Sequence, residues 1–235
     1  MFIYFRYQTD EISLATHTGT HLDAPIHFYK GGYSVSNIPL ASLIEKPFTV
    51  IDITEQSQSR QDYAATLDDI LEFEKSNGEI PEDSVVAFLT GWSRHWPNKL
   101  AYFGTDGTDS EQVHFPGISA SAARFLANER KVVGVGIDGP SIDCGQCGSK
   151  WAYPAHVQLA MANIYILENL DVSLFRLPSV GSTVTVMPLK ITGASGSPAR
   201  VIAQFNHHHH DTNGSNTLMP FWTFLTIFFT SFFKL

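Results

Sequence analysis

Three histidines and a carboxylate fall within one short stretch, His17-Thr18-Gly19-Thr20-His21-Leu22-Asp23-Ala24-Pro25-Ile26-His27-Phe28. Two imidazoles and a carboxylate make the incomplete ligand set of a catalytic divalent metal, which keeps a position open for water. The β-branched threonines, Gly19 and Pro25 argue against a helix, so an extended strand ending at the proline is predicted. Alternation along a strand turns His17, Gly19, His21 and Asp23 to one face, and Gly19 leaves a gap between two rings where an ion or a substrate fits. An ideal strand sets the Cα atoms of His17 and His21 about 13 Å apart, close to the limit for two imidazoles sharing an ion with bonds of roughly 2 Å. A bend at Gly19 shortens that span. His27, beyond Pro25, is left as a candidate acid or base. A single histidine is more often solvated or satisfied in a core; it is the clustering that points to a site.

The pattern His-x-Gly-Thr-His-x-Asp-Ala-Pro-x-His-Phe resembles, without a gap, the signature of the metal-dependent cyclase family, which includes bacterial-type kynurenine formamidases and isatin hydrolases. The resemblance implies that His17, His21 and Asp23 bind metal, that Asp23 bridges to a second ion, and that His27 is the catalytic acid/base. Gly91-Trp92, His114-Phe115-Pro116-Gly117-Ile118-Ser119 and Asp138-Gly139-Pro140-Ser141-Ile142-Asp143 are similar to family segments as well. His156 and Glu168 would carry no meaning alone; the resemblance makes them the remaining metal ligands. Trp92 suits an aromatic substrate pocket and a core equally, and His114 reads as a loop histidine before a site residue.

The resemblance implies a two-ion site that activates water and polarises an amide carbonyl; imidazole and carboxylate ligands suit zinc, manganese or iron, with zinc favoured over manganese at equal availability, so zinc or manganese is expected. The expected activity is metal-dependent hydrolysis of a carbon–nitrogen bond. An arylformamidase converting N-formylkynurenine to kynurenine and formate in tryptophan catabolism stands first, and opening of a cyclic amide such as isatin second. The non-enzyme reading is an inactive metal-binding module tethered to a membrane. The resemblance also implies a homodimer.

The elements that must hold these residues are those of an α/β protein. Residues 48–53 alternate as a strand; residues 66–73 read as a helix capped by Thr66, with acids in its first turn and Gly78 beyond its end. The apolar runs 84–90 and 132–137 suit strands buried on both faces, and the helix 122–127 between them predicts a parallel pair. Pro154 opens a short helix containing His156, Asn163 is suited to end it, and residues 164–167 lead a strand into Glu168. Residues 183–191 and 199–205 read as a hairpin with a flexible tip at 192–198. The fold class is therefore α/β, a single domain over residues 1–206 with a mixed sheet flanked by helices, of the swivelling β/β/α type that the resemblance implies.

Hydrophobic residues make up 43% of the chain and charged residues 16%, which fits a globular core, and the formal net charge of −8 offers no basic footprint for nucleic acid. Cys144 and Cys147, as Cys-Gly-Gln-Cys, fit a local disulfide, a redox pair or two incidental thiols. The start lacks signal-peptide character, and the histidine motif begins so early that a truncated N-terminus is expected from the resemblance. A polar linker at 207–217 precedes an apolar, aromatic tail at 218–235. That order resembles a GPI-attachment signal with Asn213, Gly214 or Ser215 as acceptor, although the spacer is short, and a tail anchor is the rival. Membrane attachment is thus expected. The localisation is membrane-attached or extracellular if a signal peptide is missing from this chain, and cytoplasmic otherwise.

Overall fold

The computed structural model describes residues 6–107, 109, 112–147, 152–171, 174, 176–205 and 227–228. In chain order the strands are β1 (His21–Asp23), β2 (Lys46–Asp52), β3 (Ala64–Ala65), β4 (Val85–Leu89), β5 (Gly117–Ile118), β6 (Gly134–Ile137), β7 (Tyr165–Glu168), β8 (Ser182–Pro188), β9 (Gly196–Gln204) and β10 (Ile227–Phe228). The α-helices are α1 (Thr54–Ser59), α2 (Leu67–Asn77), α3 (Lys99–Phe103), α4 (Ala120–Asn128) and α5 (Pro154–Met161).

Eight strands form one mixed sheet in the order β1-β7-β6-β4-β2-β8-β9-β10, and β1 also pairs with β9, so the sheet closes on itself as a barrel. Strands β2, β4, β6 and β7 run parallel, joined through helices as the alternating sequence pattern requires. The closing pairs, β1 with β7 and with β9, are antiparallel. Period-two alternation sorts the core into two layers. Phe48, Val50, Val85, Ala87, Leu89, Tyr165, Leu167, Val184 and Val201 fill the inside of the barrel together with Leu22. Val86, Phe88, Val135, Ile137 and Ile166 point outward under Ile70 of α2, Leu126 of α4 and Leu159 of α5. The mixed sheet flanked by helices is therefore present, with the helices on its outer face and the inner face packed against itself by the closure into a barrel. The nine-residue β9 makes this closure by pairing with β1 through Gly196, Ser197 and Pro198 and with β8 from Ala199 to Gln204.

Local signals behave as expected in several places. Thr66 and Asp69 form a reciprocal capping box on α2, and Gly78 follows with φ +85°. Every residue of β4 is buried, and Asn163 takes φ +58° just past α5. Cys144 and Cys147 are joined as a disulfide across their turn. The linker and tail at 207–235 lie outside the described residues except for 227–228, which pair with Ala203 and Ile202 of β9. Among the described residues no helix is long and apolar enough to cross a membrane.

A part-buried ion pair ties the helical layer together. Arg130 donates through Nε to Glu74 Oε1 at 2.7 Å and through Nη2 to Oε2 at 2.9 Å, and the Ile80 amide donates to Oε1 at 3.0 Å. Burial pushes the Glu74 carboxyl up, but the guanidinium and the amide outweigh it and hold it below its ordinary value. Because the folded-state value is depressed, this stabilisation is present above the ordinary glutamate range and fades as pH falls through it toward the lower folded value. Glu74→Ala is expected to cost about 1–3 kcal/mol in chemical denaturation at pH 7, and the gap from the unmodified chain should narrow as the titration is repeated at progressively acid pH.

Candidate metal centre

The alternation that buries Leu22 inside the barrel turns His21 and Asp23 to its outer face, and register places His21 opposite Glu168 and Asp23 opposite Ile166. Glu168 shares the outward parity of Ile166, and α5 lays His156 over both. The continuous strand predicted from residue 17 is not formed: regular pairing begins at His21. Gly19 adopts φ +60°, which bends the chain before the strand, and the His17 and His21 rings lie with their centroids 5.4 Å apart. The structure thus unites all five expected ligands, His17, His21, Asp23, His156 and Glu168. They form two donor sets, His17/His21/Asp23 and Asp23/His156/Glu168, and within each set the donor atoms lie within 4.8 Å of one another.

Asp23 belongs to both sets through different oxygens. Its Oδ1 lies 2.5 Å from His17 Nδ1 and 3.1 Å from His21 Nε2, while Oδ2 lies 3.4 Å from His156 Nε2. Glu168 faces the same gap, with Oε2 at 3.4 Å from His21 Nε2 and Oε1 at 3.2 Å from His156 Nε2. His21 Nε2 is buried and has no hydrogen-bond partner although two carboxylates stand beside it. A buried polar nitrogen left without a partner is costly unless something else meets it. Imidazole nitrogens and carboxylate oxygens converging in this way are what divalent metal ions bind, so the residues fit a divalent-metal site.

The electrostatics agree with that fit. Asp23 and Glu168 are both buried, and buried carboxylates require nearby positive charge. Burial pulls the His21 imidazole down, but Asp23 and Glu168 outweigh it and hold the ring up at about 10. Burial likewise pushes Asp23 up, and the His156, His17 and His21 imidazoles beside it outweigh that and keep the carboxylate charged. Protons here occupy the place that a cation takes on binding.

A second set of groups aims the ligands. His21 Nδ1 lies 2.9 Å from the Gly19 carbonyl, which turns Nε2 toward the gap. Asp143 accepts from the backbone amides of Ala155 at 2.8 Å and His156 at 3.1 Å and sits 2.7 Å from His156 Nδ1, so one carboxylate caps the first turn of α5 and orients the ring. Glu168 Oε1 accepts from the Ile142 amide at 2.9 Å. Ser195 Oγ meets His17 Nε2 at 2.9 Å. Asp143 lies in a segment expected near the site, but no local signal sets it apart as a partner of His156. Ser195 and Gly196 belong to the stretch that reads as a flexible hairpin tip; here Gly196 begins β9, Ser195 immediately precedes it, and both back the His17 ring.

Gly196 is required there for space. A Cβ on it would stand 2.5 Å from His17 Cε1 and 2.8 Å from both ring nitrogens, and the ring is held by Asp23 and Ser195. Gly196→Ala is expected to displace His17 and weaken metal binding about 10- to 100-fold, the usual effect of disturbing a ligand's support. Metal titration followed by calorimetry checks this, and circular dichroism should be unchanged.

His27 stands outside the two donor sets, in a short 3₁₀ turn that starts at Pro25. Its ring stacks on His17 with centroids 4.1 Å apart and lies 6.3 Å from that of His156. Partial burial, with the His17 and His156 imidazoles against the pull of Asp23, holds it below the ordinary histidine value, which keeps it a neutral base near pH 7. Phe28 and Tyr153 add aromatic walls beside His156, with centroids 4.4 Å and 5.9 Å from its ring. His114 is separate from this cluster and pairs with Asp62 at 2.6 Å. Trp92 is buried with Tyr102 and Phe115, and its indole N–H donates to the Tyr102 carbonyl at 2.8 Å.

Known proteins share much of this chain. Residues 1–144 match the Cyclase family model, described as "Putative cyclase". The chain is 33% identical over 196 residues to isatin hydrolase from Roseibium aggregatum, covering 81% of this chain and 72% of that protein. It is 29% identical over 196 residues to kynurenine formamidase from Salinibacter ruber, covering 81% and 77%. Among solved structures, isatin hydrolase A from Labrenzia aggregata bound to benzyl benzoate superposes with a TM-score of 0.74 at 36% identity, covering 82% of this chain and 75% of that one.

Proposed function

The chain belongs to the cyclase family of metal-dependent hydrolases, and from that premise we propose that it opens a small aryl amide, with a cyclic amide of the isatin type as its preferred substrate. The observation that carries the hydrolase reading is the shared carboxylate: Asp23 offers one oxygen to His17 and His21 and the other to His156. The likeness to isatin hydrolases, at 33–36% identity, favours the cyclic amide. The formyl amide of N-formylkynurenine, which stands first on sequence alone, is the second reading, favoured by relatives at 29% identity.

His17, His21, Asp23, His156 and Glu168 would hold divalent ions, whose chemistry would be Lewis acidity toward an amide carbonyl and a lowered pKa of bound water. The chain's own residues do the rest. His27, stacked on His17 at the exposed side of the cluster, accepts the proton of the attacking water on a ring nitrogen and returns it to the departing amide nitrogen. Phe28 and Tyr153 form an apolar wall against which a planar aryl group rests, excluding water from the carbonyl. Asp143, Ser195 and the Gly19 carbonyl keep the imidazoles aimed during turnover.

Isatin and N-formylkynurenine assayed side by side on the full chain test the substrate assignment. The expected result is faster metal-dependent ring opening of isatin, read as a higher kcat/KM. A higher value for N-formylkynurenine would move the assignment to the formamidase reading, and turnover of neither would defeat both.

A further inference from the structure

A cleft of about 460 Å³ lies away from the metal ligands, lined by Ser57, Gln58, Gln61, Trp92, Arg94 and His95, with Thr90, Gly91 and Ala101 completing it. Ser57 belongs to α1, which follows β2, and Thr90, Gly91 and Trp92 follow β4. The cleft therefore opens beyond the carboxyl ends of two neighbouring parallel strands. β6 separates β4 from β7, which carries Glu168. None of His17, His21, Asp23, His27, His156 or Glu168 lines it.

Three features give the cleft its chemistry. Among the described residues its lining contains no acidic side chain, although the chain as a whole carries a formal charge of −8. Arg94, His95 and two glutamine amides supply donors, and a guanidinium fork matches a carboxylate in two parallel bonds. Next, the Ser57 hydroxyl has no hydrogen-bond partner although the residue is only 2% exposed, so the lining holds a buried donor that a ligand oxygen would satisfy. Thr90, by contrast, is committed, donating to Asp138 at 2.6 Å and accepting from the Trp92 amide at 3.1 Å. Finally, Trp92 is fixed by its bond to Tyr102 and contributes an aromatic surface to the wall.

We propose that this cleft is a second small-molecule site, separate from the metal centre, that takes an aromatic carboxylate. The carboxylate lies between the Arg94 guanidinium and the Ser57 hydroxyl, and the aryl ring rests against Trp92. This assignment does not depend on the hydrolase reading.

Calorimetric titration of the full metal-loaded chain with benzoate tests it, with inorganic phosphate as the control anion. Expected are saturable one-to-one binding of benzoate and much weaker binding of phosphate. Arg94→Gln, on an exposed side chain, should weaken benzoate at least tenfold. Ser57→Ala should weaken it several-fold, whereas a hydroxyl with no part in binding would leave affinity unchanged on removal. Metal-stripped chain should bind benzoate as before. The proposal is overturned if benzoate does not bind, if Arg94→Gln and Ser57→Ala both bind it normally, if binding disappears with the metal, or if phosphate binds as tightly.

Discussion

An Asp23→Asn chain is expected to fold, to lose both metal ions and to retain less than about a thousandth of the unmodified turnover, since each tenfold loss corresponds to about 1.36 kcal/mol and metal catalysis contributes several kcal/mol. Asp23 is common to the two donor sets. Asparagine keeps the shape and one oxygen but removes the charge that faces His17, His21 and His156 together. Loss of a ligand confined to one set would spare the other ion. Bound metal measured by mass spectrometry, alongside kcat/KM, checks the expectation; retention of two ions would sink the shared role of Asp23.

The second large effect separates chemistry from metal binding. His27→Ala should lower turnover by about 10²- to 10⁴-fold, the range for removing a general acid–base, while leaving metal content intact. His27 contacts the metal cluster through the face of His17 and belongs to neither donor set. Its side chain stands toward solvent, so truncation should cost little stability. Full turnover in His27→Ala would refute its acid–base role. Loss of both activity and metal would mean that the stacked ring holds His17 in place instead.

The elements that carry the candidate ligands are legible in the sequence from local signals, whereas His156 and Glu168 themselves are singled out only by the resemblance. Proline opens the helix bearing His156, Asn163 closes it in the left-handed region, and β7 ends on Glu168. The capping box at Thr66 and the all-buried β4 are equally local and equally legible. The closure of the sheet is not, because β1 meets β9 through residues remote in sequence, and a three-residue strand gives no pattern that names its second partner. For the same reason Gly196 and Ser195 read as a loose tip: their function is to make room for His17 and to hold its ring, and both duties exist only once the barrel closes. Gly19 lies between. Its type alone allows a bend that shortens the span, and its φ of +60° does so, but the extent of the turn is set by the contact of His17 with Asp23 rather than by any neighbour in sequence.

The most direct test of the two-ion hydrolase is the activity of metal-depleted chain as zinc or manganese is returned one equivalent at a time, with isatin as substrate. Negligible turnover is expected without metal and full activity at two equivalents, because Asp23 completes two ligand sets. Full hydrolysis by metal-free protein, or full activity at one equivalent with no second ion taken up, would contradict the two-ion site.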